Sequence, residues 1–146
     1  MLDLSQYFSD KVVAHGLVTD RSGHVLRRFT VHIQGRWQGD SGVLEEDFQY
    51  ADGATERRLW RLQRLTDGSW SGRADDIVGE ALGQADGNAL NWRYTLRVPV
   101  DGRSWDVQFD DWMFLIDDRV MINRAVMTKF GIRIGEVTLS FRKLTP

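Results

Sequence analysis

Four Asp-Gly dipeptides, at 52–53, 67–68, 86–87 and 101–102, punctuate this chain of 146 residues. Each lies between runs in which apolar and polar residues alternate, and this pattern constrains the fold more than any other feature. A type I′ hairpin turn needs positive φ at both central residues, which Asp-Gly supplies at low cost. Further turn signals stand at Asp20-Arg21-Ser22-Gly23, Gly39-Asp40-Ser41-Gly42 and Asp117-Asp118. Turns this frequent leave little room for helix. The spacing predicts one short helix near residues 4–10, placed to plug or flank the sheet. It predicts ten strands, at roughly 12–19, 25–34, 42–50, 55–65, 69–74, 77–85, 88–98, 104–115, 120–129 and 132–142. Only two prolines occur, Pro99 and Pro146, so long strands can run uninterrupted. A meander of this length closes on itself because closure removes the exposed edges. The expected fold is all-β: a single antiparallel up-and-down barrel occupying 1–146 as one domain, a length that can bury a sizeable core.

Turn lengths fix registers. A two-residue loop at Asp101-Gly102 sets Leu96 against Val107, Tyr94 against Phe109 and Trp92 against Asp111. One at Asp86-Gly87 sets Ile77 against Leu96, Gly79 against Tyr94 and Ala81 against Trp92. One at Asp117-Asp118 sets Leu115 against Val120, Met113 against Ile122 and Asp111 against Arg124. Under these registers one face is apolar apart from Asp111 and Arg124. The other face carries cross-strand charge pairs: Arg93 between Glu80 and Asp110, and Arg97 between Asp76 and Asp106. In the N-terminal half, Phe29, Val31 and Ile33 alternate with Arg28, Thr30 and His32. The Asp52-Gly53 and Asp67-Gly68 hairpins give mixed faces with two-residue loops, which points to a longer loop or a bulge at one of them.

Several stretches carry a resemblance: Ala74-Asp75-Asp76-Ile77-Val78-Gly79-Glu80-Ala81; Gly87-Asn88-Ala89-Leu90 with Trp92 and Tyr94; Phe109-Asp110-Asp111-Trp112-Met113; Ile122-Asn123-Arg124; and Lys129-Phe130-Gly131. Over about residues 8–143 the chain resembles the bacterial family domain of unknown function 3833, whose members are described as lipoproteins. The resemblance implies a lipocalin-like (calycin-type) barrel. It implies no activity.

Asp111 and Arg124, expected inward and opposed, are the first candidates. A buried carboxylate needs a partner, and an arginine fork supplies one. The pair reads as a register-fixing ion pair, as an anchor for a ligand headgroup, or as an acid–base group. Trp92, Tyr94, Phe109 and Met113 share that face opposite small residues. They either fill the core or wall a pocket. Trp112 and Asn123 are expected opposed on the outer face, and Lys129 either stands solvated at the last turn or lines the barrel mouth. In Glu45-Glu46-Asp47 neighbours point to opposite faces, so only Glu45 and Asp47 can act together, paired with Arg57, Arg58 or Arg61. His15, His24 and His32 share no metal-ligand spacing, so no metal site is expected. No phosphate loop, nucleophile elbow or zinc motif occurs, and no cofactor is implied.

Nineteen basic and 21 acidic residues give a net charge of −2, with signs interspersed. That is no footprint for nucleic acid. The chain has no cysteine, which excludes disulfides and a thiol nucleophile. No apolar run suits a transmembrane helix. As written, the sequence suggests the cytoplasm, with a periplasmic or membrane-anchored location if a leader was removed. The leading functional expectation is a barrel binding a small hydrophobic or amphipathic ligand. The alternatives are a filled barrel serving as a structural or interaction domain, with an apolar patch near Trp112, and an enzyme using Asp111 with Tyr94 nearby. Oligomeric state is left open.

Overall fold

A computed structural model of the chain describes residues 1–144. Its strands are β1 (Lys11–Asp20), β2 (Val25–Gln38), β3 (Ser41–Tyr50), β4 (Thr55–Arg64), β5 (Trp70–Arg73), β6 (Ala81–Asp86), β7 (Ala89–Val100), β8 (Arg103–Leu115), β9 (Val120–Lys129) and β10 (Ile132–Lys143). Each pairs antiparallel with the next, and β1 pairs with β10, so the sheet is a closed ten-stranded up-and-down barrel. No helix among the described residues is long and apolar enough to cross a membrane.

The turns explain which registers follow from the sequence. Asp101 and Gly102 both have positive φ, 49° and 78°, and the expected pairs Leu96–Val107, Tyr94–Phe109 and Trp92–Asp111 form. At β6–β7 the loop is Gly87-Asn88, since Asp86 already pairs with Ala89. Gly87, at φ 60°, occupies the first central position, where a type II′ turn requires glycine. Gly83 rather than Ala81 therefore stands opposite Trp92, and Gly79 does not face Tyr94. The inward set is unchanged because the shift is by two residues. Beyond the strand end, Ile77 bridges Leu96 as expected.

The β8–β9 turn overturns a central expectation. Asp117 Oδ1 accepts from the backbone N–H of Arg119 and Val120, both at 2.8 Å, and the N–H of Ile116 donates to Val120 O at 2.9 Å. This side-chain cap makes a three-residue loop, 117–119, in place of a two-residue one. Its odd residue slips the register by one, which exchanges the faces of β9. Asp111 lies opposite Ala125, and Arg124 lies opposite Trp112 on the outside. Arg124 pairs there with Glu136 at 3.3 Å. Asn123, expected outside, points inward beside Met113 and is buried.

Three-residue loops also resolve the N-terminal half. The N–H of Tyr50 donates to Ala54 O, and that of Leu65 to Ser69 O, closing loops 51–53 and 66–68. Gly53 and Gly68 take the left-handed position in them, at φ 93° and 86°. Both hairpins, not one, thus carry the longer loop. Phe29, Val31 and Ile33 face inward as expected. On the outer surface Arg93 pairs with Asp110 at 3.6 Å and Arg97 with Asp106 at 3.5 Å. Glu80 pairs with Arg73 instead of Arg93.

The helix α1 (Leu4–Tyr7) is shorter than expected, capped by Asp3, whose side chain accepts from the N–H of Ser5 at 2.9 Å. Residues 1–8 plug one end of the barrel. Leu2, Leu4, Tyr7 and Phe8 are buried, the N–H of Leu2 donates to Gly87 O, Tyr7 donates to Arg119 O, and Trp37 Nε1 donates to Phe8 O. Gly35 admits this plug: a Cβ there would collide with the backbone carbonyl of Phe8.

At the other end the wall is made differently. The paired part of β4 on the β5 side begins only at Arg61, so residues 55–60 run past the end of β5. Residues 74–80 cover this stretch. Their backbone is tied to β7, with the N–H of Val78 donating to Thr95 O and that of Arg97 to Asp76 O. A side-chain tie to β4 is Arg58 to Asp76, described below.

Candidate ligand cavity

Alternation on each strand sends one set of side chains into the barrel. β3 contributes Leu44, Glu46 and Phe48; β4 contributes Arg58, Trp60 and Leu62; β7 contributes Trp92, Tyr94 and Leu96. With β8, β9 and β10 they enclose a cavity of about 320 Å³. Leu4 and Phe8 of the plug form its floor, while Arg27, Glu56, Arg97 and Pro99, all exposed, mark its mouth.

Of the residues expected at a site, Trp92, Tyr94, Phe109, Asp111 and Met113 all line this cavity. Arg124 does not, for the register reason given above. The rings form a ladder. Trp60 meets Trp92 and Tyr94 edge-on at 5.6 and 5.5 Å, and Tyr94 stacks on Phe109 at 5.0 Å. Trp92 fits because Gly72 and Gly83 lie under its ring, where a Cβ would collide with it. The small-against-large pattern therefore exists, with Gly72 and Gly83 as the small partners.

Polar groups sit at two depths. Near the mouth, Arg58 Nε donates to both Asp76 oxygens at 3.1 and 3.0 Å, and Nη2 reaches Asp76 Oδ2 at 2.9 Å and Glu56 Oε1 at 3.2 Å. Arg58 Nη1 stands 3.9 Å from Glu46 Oε1. Burial opposes the Arg58 charge, but Asp76 and Glu46 hold its pKa above the ordinary value. Burial pushes Glu46 up to about 7, against the pull of Arg58. Deeper, the Tyr94 hydroxyl donates to Asp111 Oδ2 at 3.4 Å. Burial raises the Asp111 pKa to about 8, with Asn123 and Tyr94 favouring the ionised form and Asp110 and Glu46 opposing it. Tyr94 is pushed well up by burial and by Asp111, so it stays a neutral donor.

Glu46, Arg58 and Asn123 were not among the residues expected inside. Their signal was parity: Glu46 alternates in phase with Leu44 and Phe48, and Arg58 with Trp60 and Leu62. Glu45 and Asp47 do pair with Arg57, at 3.3 and 3.8 Å. Trp112 faces outward, 43% exposed, stacked on Phe114 at 6.2 Å. Lys129 is not in the lining; it donates to Asp106 O and lies over the Trp105 and Phe130 rings.

A family model described as protein of unknown function (DUF3833) matches residues 1–143. No curated protein matches the chain.

Proposed function

The chain belongs to the DUF3833 family, whose description assigns no activity, and from its own interior we propose that it binds one small, apolar-bodied ligand inside the barrel, in the lipocalin-like manner. The observation that carries this reading is the cavity of about 320 Å³, walled by rings and aliphatic chains, with its polar groups gathered toward the mouth and in one deep cluster. Ligand pockets run from about 300 to 1,000 Å³ and are mostly apolar with a few placed polar groups. A filled barrel would leave no such space. Trp92, Tyr94, Phe109, Asp111 and Met113, with Trp60, Leu96 and Asn123, are the proposed contacts, and the mouth beside Arg27, Glu56 and Arg97 is the route in.

Titration with the uncharged fluorophore N-phenyl-1-naphthylamine tests the proposal, with native mass spectrometry as the stoichiometry check. Saturable uptake of one equivalent is expected, together with quenching of the Trp60 and Trp92 emission. Leu96→Trp, which fills the cavity from its wall, is expected to abolish uptake while far-UV circular dichroism stays that of the parent. No saturable uptake by the parent protein, or undiminished uptake by Leu96→Trp, overturns the reading.

A further inference from the structure

The apolar lining leaves the deepest polar cluster unexplained. Asp111 and Asn123 are 6% and 1% exposed, and both line the cavity. Asp111 Oδ1 and Asn123 Oδ1 have no hydrogen-bond partner. The two residues sit on adjacent strands two positions apart in register, Asp111 opposite Ala125 and Met113 opposite Asn123. Both free atoms are oxygens. Buried oxygen without a donor is costly, and native interiors rarely tolerate two side by side. The opposite oxygen of Asp111 already accepts from Tyr94. The nearby donors are spent: Tyr94 and the Asn123 amide serve Asp111 without reaching either free oxygen, and the half-buried Arg58 is engaged higher in the cavity by Asp76 and Glu56.

We propose that the cavity takes its ligand head first, seating a hydrogen-bond-donating headgroup, a hydroxyl or a primary amine, between Asp111 Oδ1 and Asn123 Oδ1. The tail then runs back along Phe109, Tyr94 and Trp60 toward the mouth. This rests on the ligand-binding reading above and adds the chemistry of the head. A carboxylate head is selected against twice. It has no proton to give to the two oxygens, and seated there it would face Asp111, with the arginines of the lining, Arg27, Arg58 and Arg97, all nearer the mouth. A site built around acceptors rejects a ligand that cannot donate much more strongly than it rejects a change in tail length.

Competition of 1-octanol, octylamine and octanoate against N-phenyl-1-naphthylamine at pH 9, where Asp111 is ionised and can only accept, separates these cases, since the three share one tail. Octanol and octylamine are expected to bind about tenfold or more tighter than octanoate. Octanol ahead of octylamine assigns a neutral donor, and the reverse order assigns an ammonium; either supports the proposal. In Asp111→Asn the new amide N–H can donate to Asn123 Oδ1, and the preference over octanoate is expected to collapse. Equal affinities for all three in the parent protein, or tightest binding of octanoate, overturn the headgroup assignment while leaving the cavity reading intact. Failure of the fluorophore itself to bind overturns both. The order in the parent protein decides the matter whether or not Asp111→Asn folds.

Discussion

Asp111 is held among aromatic rings with a phenol on one oxygen, and burial lifts its pKa to about 8. In an unfolded chain an aspartate titrates near 3.9. Between those values the folded protein binds a proton that the unfolded chain has released. The stability this group contributes is therefore complete below about pH 4 and drains away as pH rises toward 8, at up to about 1.4 kcal/mol per pH unit. Glu46, raised to about 7, acts in the same sense over a narrower window. Asp111→Asn keeps the shape and removes the titration. Urea melts from pH 5 to 8 are expected to show the variant gaining on the parent as pH rises; a constant difference across that range would mean that Asp111 titrates normally. The sequence showed that Asp111 faces inward, because the type I′ turn at Asp101-Gly102 admits one register. Its partner was not legible. Arg124 and Asn123 are adjacent, and which of them faces inward depends on the parity of the turn between β8 and β9: a single residue in the loop 117–119.

Strand registers here are decided by turn chemistry more than by hydrophobic pattern. Asp-Gly at 101–102 forms the turn its residues favour, whereas Gly87-Asn88 forms with glycine first, and Asp117 adds a residue by capping two backbone N–H groups. Alternation in β9 could not arbitrate, because Met121, Ile122, Ala125 and Val126 put apolar residues on both faces. Glycines then set where rings lie. Gly83→Val would drive a side chain into the Trp92 ring and is expected to cost about 1–3 kcal/mol by overpacking, seen as a lowered urea midpoint with altered tryptophan emission. The short β5 leaves residues 74–80 to complete the wall, with Arg58–Asp76 as a latch onto β4. Asp76→Ala is expected to speed hydrogen exchange at the amides of Val78 and Arg97 while leaving β8 and β9 protected. Unchanged exchange at those two amides would show that the backbone bonds to β7 hold the segment unaided.

The molecule as a whole is a ring of nearest neighbours closed by its last strand against its first, Val12 pairing with Lys143. That closing contact joins residues from opposite ends of the chain, so the ring forms only after most of the loop-closure entropy has been met. Among the described residues, 1–8 seal one end of the ring and none seals the other, so the cavity opens at the end away from the plug. Whatever enters must leave by the way it came, and detailed balance then constrains the mouth. A residue that brushes a ligand in passing but does not touch it once seated raises the barrier equally in both directions. Pro99→Trp, at the rim, is expected to slow association and dissociation of N-phenyl-1-naphthylamine by a common factor in stopped flow, with Kd unmoved. A change in only one of the two rates would mean that Kd has moved and that the new ring touches the seated ligand. Substitutions at the rim thus set how long a ligand stays, and those at the floor set which ligand it is.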